Sequence, residues 1–290
     1  MTQILVTGSN GQLGNDMREL AKNSPFQFTF TDVAELDITN IQAIDELFQQ
    51  NKFSFVINCA AYTNVNKAEE EEDIALKINA KAPENLAKIS AKYHCKFIHV
   101  STDYVFDGTN CQPYEESQPV CPQSAYGRTK LEGEKLAMAA NPETVIIRTA
   151  WLYSTFGNNF VKTMIKLGTE RDELSVVFDQ IGSPTYAGDL AKAIYTIIEK
   201  VESNEKQFVA GIYHFSNEGV CSWYDFTKEI HALAGIQCSV KPIETKDFPS
   251  PAKRPFYSVL NKKKIKETYG VVVPYWKDSL AYCIQKLQAK

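Results

Sequence analysis

The first fourteen residues constrain this chain more than any other stretch. Gln3 to Thr7 (QILVT) is a short apolar, β-branched run, the pattern of a strand buried on both faces of a parallel sheet. It leads directly into Gly8-Ser9-Asn10-Gly11-Gln12-Leu13-Gly14, and a helix-like stretch, Asn15 to Asn23, follows. A strand, a glycine-rich turn and a helix start make a phosphate cradle. Glycine lets backbone approach a pyrophosphate, and a helix N-terminus offers free N–H groups and a partial positive charge. The spacing is G-x-x-G-x-x-G, one residue looser than the G-x-G-x-x-G dinucleotide fingerprint.

The pattern set by this opening repeats. Strand-like runs recur at Gln27 to Thr31, Phe53 to Cys59, Lys96 to Val100 and Thr144 to Thr149. Helical patterns fall between them, at Ile41 to Asn51, roughly Glu71 to Tyr93, and Ser124 to Ala140. Alternation of this kind over about 150 residues predicts an α/β fold with a doubly wound, Rossmann-type parallel sheet. After Trp151 the pattern loosens. Gly211 to Phe215 (GIYHF) reads as a strand able to rejoin the sheet, and the remainder reads as a smaller mixed α/β substrate lobe. The expected division is 1–153 plus about 185–217 for the dinucleotide domain, with about 154–184 and 218–290 for the lobe and a substrate cleft between them.

Several residues then stand where such a fold binds ligands. Asp32 ends the second strand, roughly 20 residues past the glycines, where a ribose 2′-hydroxyl is bound; a loop aspartate capping the next turn would read the same. Asp37 is a second candidate at the adenosine end. Val33 is not basic, so nothing awaits a 2′-phosphate, which leans the cofactor from NADPH toward NADH. Ala60, Ala61, Tyr62 and Thr63 follow the third strand with small residues for close approach. Asn79 either steadies backbone near the site or satisfies a core carbonyl. The fourth strand runs into Ser101, Thr102 and Asp103 at the carboxyl edge of the sheet.

The chemistry centres on Tyr126 and Lys130, one turn apart in a helix that Ser124 can cap. Any Y-x-x-x-K on a surface helix would look alike; the order of cradle, hydroxyl and Tyr–Lys pair is what distinguishes this one. A free phenol has a pKa near 10, and a neighbouring ammonium lowers it. Tyr126 could then protonate a carbonyl oxygen as hydride reaches its carbon, with Lys130 tuning the phenol and binding the nicotinamide ribose. Thr102 or Ser101 would donate to the same oxygen.

Composition excludes other classes. The 290 residues are 44% hydrophobic and 23% charged with a net charge of −4, which argues against nucleic acid or an anionic membrane as partner. No apolar run spans a bilayer, and the basic leader of a signal peptide is missing. Seven cysteines with no C-x-x-C fit reduced thiols, hence a cytoplasmic setting. Four scattered histidines (94, 99, 214 and 231) have no metal-ligand spacing and receive no catalytic role.

These motifs resemble the extended short-chain dehydrogenase/reductase family, and within it the dTDP-4-dehydrorhamnose reductases. The likeness rests on TGSNGQLG (7–14), NCAAYTNVNKAE (58–69), STDYVFDG (101–108), YGRTKLEGE (126–134), RTAWLYS (148–154), DQIGSPTYAGDLA (179–191) and RPFYSVL (254–260). It implies an oxidoreductase that uses NADH or NADPH to reduce the 4-keto group of dTDP-4-dehydro-L-rhamnose. The cofactor would rest on Gly8, Gly11, Gln12, Leu13, Gly14, Asp32, Asp37, Ile38, Ala60, Ala61, Tyr62 and Asn79. Thr102, Tyr126 and Lys130 would be catalytic. Thr63, Val65, Asp103, Tyr104 and Trp151 would shape the sugar pocket, with Asn159, Gln180 and Arg254 toward the nucleotide diphosphate. The chain departs from the family at Asn66, usually aspartate, and at Tyr257, often asparagine. Asp16 and Asp189 stand near positions where some relatives bind Mg2+ at a dimer contact, so the metal and the choice of monomer or homodimer stay open. Another nucleotide-sugar reductase or epimerase, or a non-catalytic nucleotide-binding subunit, are the alternative readings.

Overall fold

In the computed structural model, which describes residues 2–289, strands and helices alternate from the first residues onward. The elements in order are β1 (Gln3–Thr7), α1 (Gln12–Ala21), β2 (Gln27–Thr31), α2 (Ile41–Gln50), β3 (Phe53–Asn58), α3 (Glu72–Leu76), α4 (Ala82–Lys92), β4 (Lys96–Thr102), α5 (Ala125–Ala140) and β5 (Thr144–Thr149). There follow β6 (Leu152–Tyr153), α6 (Phe160–Glu170), β7 (Glu173–Val177), β8 (Ile181–Gly182), β9 (Thr185–Tyr186), α7 (Ala187–Glu202), β10 (Gly211–His214), β11 (Cys221–Ser222), α8 (Trp223–Ala234), β12 (Ser239–Ile243), α9 (Lys263–Tyr269) and α10 (Trp276–Gln288).

Six strands form one parallel sheet in the order β10-β5-β4-β3-β1-β2, the doubly wound arrangement expected. The strand order reverses between β1 and β3, the point at which such sheets open a crevice beyond their carboxyl ends. The Gly211 strand does rejoin the sheet, pairing with β5. One face packs Ile4, Val6, Ile57 and Ile147 under Ile194, Ile198 and Tyr213, and recruits Ile265 and Tyr269 from α9. The other packs Leu5, Val56 and Phe97 against Phe48, Leu86 and Ala137. A separate core of Tyr153, Val161, Phe226, Ile230, Trp276 and Leu280 holds the smaller lobe.

Three boundaries differ from the sequence reading. Helix α1 begins at Gln12, not Asn15, because Gly11 already has the extended backbone of an N-cap. Strand β4 continues to Thr102, so period-2 alternation sends Ser101 and Thr102 to opposite faces. The expected helix over 71–93 is split by a π-helical turn, Lys77–Lys81. Pro83 explains the turn. It has no N–H for the carbonyl of Asn79 four residues back, and its ring would strike that carbonyl, so the backbone widens by one residue. The displaced Asn79 carbonyl then lies against α5, where a Cβ on Gly133 would come within 2.0 Å of it.

No helix among the described residues is long and apolar enough to cross a membrane. Asp16 and Asp189 engage neighbouring side chains. The Ser154 hydroxyl donates to Asp16 at 2.5 Å, and Asn217 donates to Asp189 at 2.6 Å.

Two predictions follow from this packing. Gly133→Ala should destabilise the protein by about 2 kcal/mol or more, because backbone rather than a movable side chain blocks the methyl; chemical unfolding would measure it. Burial pushes the Asp16 carboxyl up to about 6, against the opposing Ser154 bond. A carboxyl raised on folding contributes its stability below the unfolded value and loses it as pH climbs through the folded one. Asp16→Asn should therefore stabilise the protein at pH 8, by up to about 3 kcal/mol, with the gain shrinking toward pH 4. Unfolding midpoints at several pH values would check this.

Candidate active site

At the carboxyl edge of the sheet lies a cleft of about 1180 Å³, larger than the roughly 300–1,000 Å³ of a single-ligand site. Its floor is the glycine turn. Gly8 takes φ +66°, and a Cβ there would sit 2.5 Å from the Ala60 nitrogen, so only glycine lets the first loop lie on the loop after β3. No side chain caps the N-terminus of α1, and its first turn carries no acidic residue. The free N–H groups of α1 suit a phosphate. Gly8, Gly11, Gln12 and Leu13 line the cleft; Gly14 instead packs beneath, where a Cβ would meet the Gly8 carbonyl at 2.5 Å.

At one end Asp32 closes the cradle. Its Oδ2 accepts the Asn10 N–H and its Oδ1 the Val33 N–H, both at 2.9 Å. The loop-capping reading of Asp32 thus holds, while the residue also lines the cleft. Asp37 is exposed there; the Thr39 hydroxyl and N–H hold its carboxyl below the usual range. Ile38, Ala60 and Ala61 complete this end. Tyr62 lies outside the lining, as does Asn79. The Asn79 amide accepts the Tyr62 N–H at 2.8 Å and donates to the Tyr62 carbonyl at 3.1 Å. It steadies the loop that carries Ala60 and Ala61, one of the two roles considered for it.

Thr102, Tyr126 and Lys130 converge in the middle of the cleft. Ser124 caps α5 by accepting the Gly127 N–H at 3.2 Å. Gly127 lets the helix press on the turn that follows β4, since a Cβ there would lie 2.3 Å from the Tyr104 carbonyl. Ser101 donates to Glu134 at 2.5 Å, and Glu134 is paired with buried Arg148 at 2.7 Å. Ser101 is therefore committed elsewhere and Thr102 is the hydroxyl left at the site. Thr102 donates to Asp103 at 2.9 Å and lies beside the Tyr126 phenol. Burial pushes the Asp103 carboxyl up to about 7.

Burial dominates the catalytic pair. It pushes the Tyr126 phenol above its usual range, with the neighbouring Thr102 hydroxyl opposing. It pushes the Lys130 ammonium down to about 8, with Glu134 opposing. Lys130 Nζ donates to the Val100 carbonyl at 2.7 Å and meets His99 Nε2 at 3.2 Å. The expected lowering of the phenol by Lys130 has no counterpart here, because the lysine nitrogen is turned toward the sheet.

Beyond the pair, Thr63, Val65, Asp103, Tyr104, Trp151, Asn159 and Arg254 line the cleft. Tyr104 meets Tyr126 edge to face at 5.5 Å. Arg254 lies beside the Tyr104 hydroxyl, and its buried Nε has no hydrogen-bond partner among the described residues, which suits an anion. Trp151 holds a left-handed φ of +49° and stacks on Trp223 at 3.6 Å. Asn159 caps α6 and donates to Gln12 at 3.0 Å, joining the smaller lobe to the cradle. Gln180 is not brought to the cleft; its amide donates to Thr245 at 3.1 Å. Asn66 accepts from Ser250 at 2.9 Å, and Tyr257 packs near Tyr114. Among the described residues no group of three or more His, Cys, Asp or Glu side chains is arranged to hold a metal.

Sequence reasoning missed His99 and Asn58, which stand behind Lys130, and Lys77, Asn158 and Phe160, which line the cleft. A polar residue inside each of the apolar runs KFIHV and FSFVINC was the available signal for the first two.

Comparison with known proteins extends over nearly the whole chain. The family model described as RmlD substrate binding domain matches residues 1–289. The dTDP-4-dehydrorhamnose reductase of Aggregatibacter actinomycetemcomitans is 40% identical, with 97% of each chain covered. A solved dTDP-4-dehydrorhamnose reductase from Clostridium acetobutylicum is 48% identical with a TM-score of 0.94, covering 99% of this chain and 100% of that one. Another, from Bacillus anthracis in complex with NADP, is 39% identical with a TM-score of 0.92 and the same coverage.

Proposed function

Because the chain belongs to the family of the RmlD substrate binding domain, we propose that it is an NAD(P)H-dependent dTDP-4-dehydrorhamnose reductase acting through Thr102, Tyr126 and Lys130. The observation that carries the assignment of these residues is their convergence in one cleft with an uncapped helix N-terminus.

When bound, the reduced nicotinamide supplies hydride to C4 of the keto sugar. Gly8, Gly11 and the N-terminus of α1 would hold its pyrophosphate, with Asp32, Asp37 and Ile38 at the adenosine end. The B. anthracis relative binds NADP, so the lean toward NADH read from Val33 has no support there.

Tyr126 donates its phenolic proton to the C4 oxygen, turning the carbonyl into a hydroxyl. Burial keeps the phenol protonated at neutral pH, so the donor stands loaded before substrate arrives. Thr102 stands beside the phenol, and its hydroxyl is anchored on Asp103. Lys130 stabilises the phenolate left after transfer once its ammonium turns from the Val100 carbonyl toward the phenol. Arg254, with its free buried Nε, takes a phosphate oxygen of the nucleotide diphosphate. Trp151 and Tyr104 form the walls that keep water from the sugar.

Tyr126→Phe should retain binding of NADPH by fluorescence titration and lose turnover by about 100-fold or more, the usual contribution of a general acid; unchanged turnover refutes the role. Arg254→Met should weaken the dTDP-sugar about tenfold or more in KM with a smaller change in kcat. Nicotinamide oxidation with NADH and NADPH separately, in the presence of the dTDP-4-keto sugar, tests the activity. Oxidation only with a GDP- or UDP-sugar would overturn it.

A further inference from the structure

Trp151 stands where the chain passes from β5 to β6, and its backbone there has a left-handed φ of +49°. L side chains rarely take that conformation, and a residue kept in it needs surroundings that hold it there. The indole of Trp223 lies flat on that of Trp151, with ring centroids 3.6 Å apart and planes 11° from parallel. Gly182 on β8 meets the edge of the same indole: a Cβ there would lie 2.6 Å from Cε2 and 3.0 Å from Nε1. The Trp151 carbonyl accepts the Thr185 N–H at 3.1 Å, which fixes the peptide that follows. One face, one edge and the next peptide of Trp151 are thus each set from outside β5.

Trp223 is itself held firmly. It is the first residue of α8, whose N-terminus carries a complete capping box: Ser222 accepts the Asp225 N–H at 3.0 Å, and Asp225 accepts the Ser222 N–H at 3.0 Å. Phe160, the first residue of α6, braces Trp223 at 4.4 Å, and Phe226 stands 6.2 Å from it. Strand β11 pairs with β8, Cys221 opposite Gly182 and Ser222 opposite Ile181, so the two parts that grip Trp151 belong to one unit. Trp151 and Phe160 line the cleft, and Trp223 is not among the residues that do. A bound sugar therefore meets Trp223 through Trp151 and Phe160.

We propose that Trp223 is a positioning residue for the reduction proposed above: its stack fixes the Trp151 wall against which the hexose ring is set for Tyr126. A pyranose presents C–H bonds on its faces, and an indole offers a flat, apolar surface with a negative face that takes them. The stack sets how far that surface stands into the cleft. Proton and hydride transfer both depend on where C4 and its oxygen lie, and a misplacement of about 1 Å costs roughly 100-fold in rate. The cofactor cradle is built on β1 and α1 and takes no part in the stack.

The inference rests on the reductase reading, and the test separates the two. Closely stacked indoles couple as an exciton and give a paired positive and negative band in circular dichroism. The full-length wild type should show this couplet without any substrate; its absence overturns the proposal and has no bearing on the reaction. In Trp223→Ala the couplet should vanish, and kcat/KM with the dTDP-4-keto sugar should fall about tenfold or more, while the NADPH dissociation constant changes by less than about twofold. Trp223→Phe restores a stacking face and should recover most of the turnover; no recovery overturns the proposal. Unchanged kcat/KM in Trp223→Ala also overturns it, as does NADPH affinity lost in step with turnover, the mark of a merely structural role. If Trp223→Ala does not fold, Gly182→Ala pushes the indole from its edge instead. It should give the same loss of kcat/KM at unchanged NADPH affinity, and turnover equal to wild type overturns the proposal. The comparison is variant against wild type on whichever nucleotide-linked keto sugar the wild type reduces, so a wild type inactive on the dTDP sugar counts against the assigned substrate alone.

Discussion

Helix α5 is held at backbone distance from two other parts of the fold, and the placement of the site depends on that clamp. Near its start Gly127 lies against the carbonyl of Tyr104, and two turns on Gly133 lies against the carbonyl of Asn79. Tyr126 and Lys130 sit just before and between these contacts. A side chain at either glycine would lift the helix by more than the tolerance of a hydrogen bond, and the phenol would leave Thr102. The second contact exists only because Pro83 forces the turn at Lys77–Lys81. A proline on one helix thus helps set the position of the proposed proton donor on another.

The second anchor of α5 is ionic. Arg148 and Glu134 are both buried and joined by a bidentate pair, to which Ser101 adds its hydroxyl. Breaking such a pair by removing one partner leaves an uncompensated charge, a cost of roughly 3–5 kcal/mol. Its geometry draws α5, β4 and β5 together one turn past Lys130. It also occupies Ser101, which is why two adjacent hydroxyls at the end of one strand divide into a structural residue and a site residue.

Much of this was legible in the sequence because it is periodic or local. The six sheet strands show apolar runs, the cradle shows its glycines, and α5 shows Ser124 and the Tyr–Lys spacing. Less legible were features that depend on what lies across the sheet. His99 in KFIHV looks like any buried histidine until Asn58 on the neighbouring strand and Lys130 on α5 are seen at its two ring nitrogens. Gln180 sits in the stretch DQIGSPT that contributed to the family resemblance, yet its side chain is engaged by Thr245, sixty-five residues on. The π-helical turn was hidden inside a good helical pattern, although Pro83 marked it. Desolvation of Tyr126 and Lys130 could not be read at all, since no sequence pattern reports how deep a cleft is.

The hydrogen bond from Asn159 to Gln12 has a kinetic side. It spans the mouth of the cleft from the smaller lobe to the phosphate cradle, and its strength is that of one neutral hydrogen bond, about 1 kcal/mol. Asn159 has other acceptors at hand in the Ser154 and Phe156 carbonyls, so releasing Gln12 leaves no buried donor stranded. A latch of that kind opens by side-chain rotation on the picosecond-to-nanosecond scale, far faster than a hinge between domains. Releasing this one contact asks for a change of side-chain rotamer at Gln12 and no displacement of backbone.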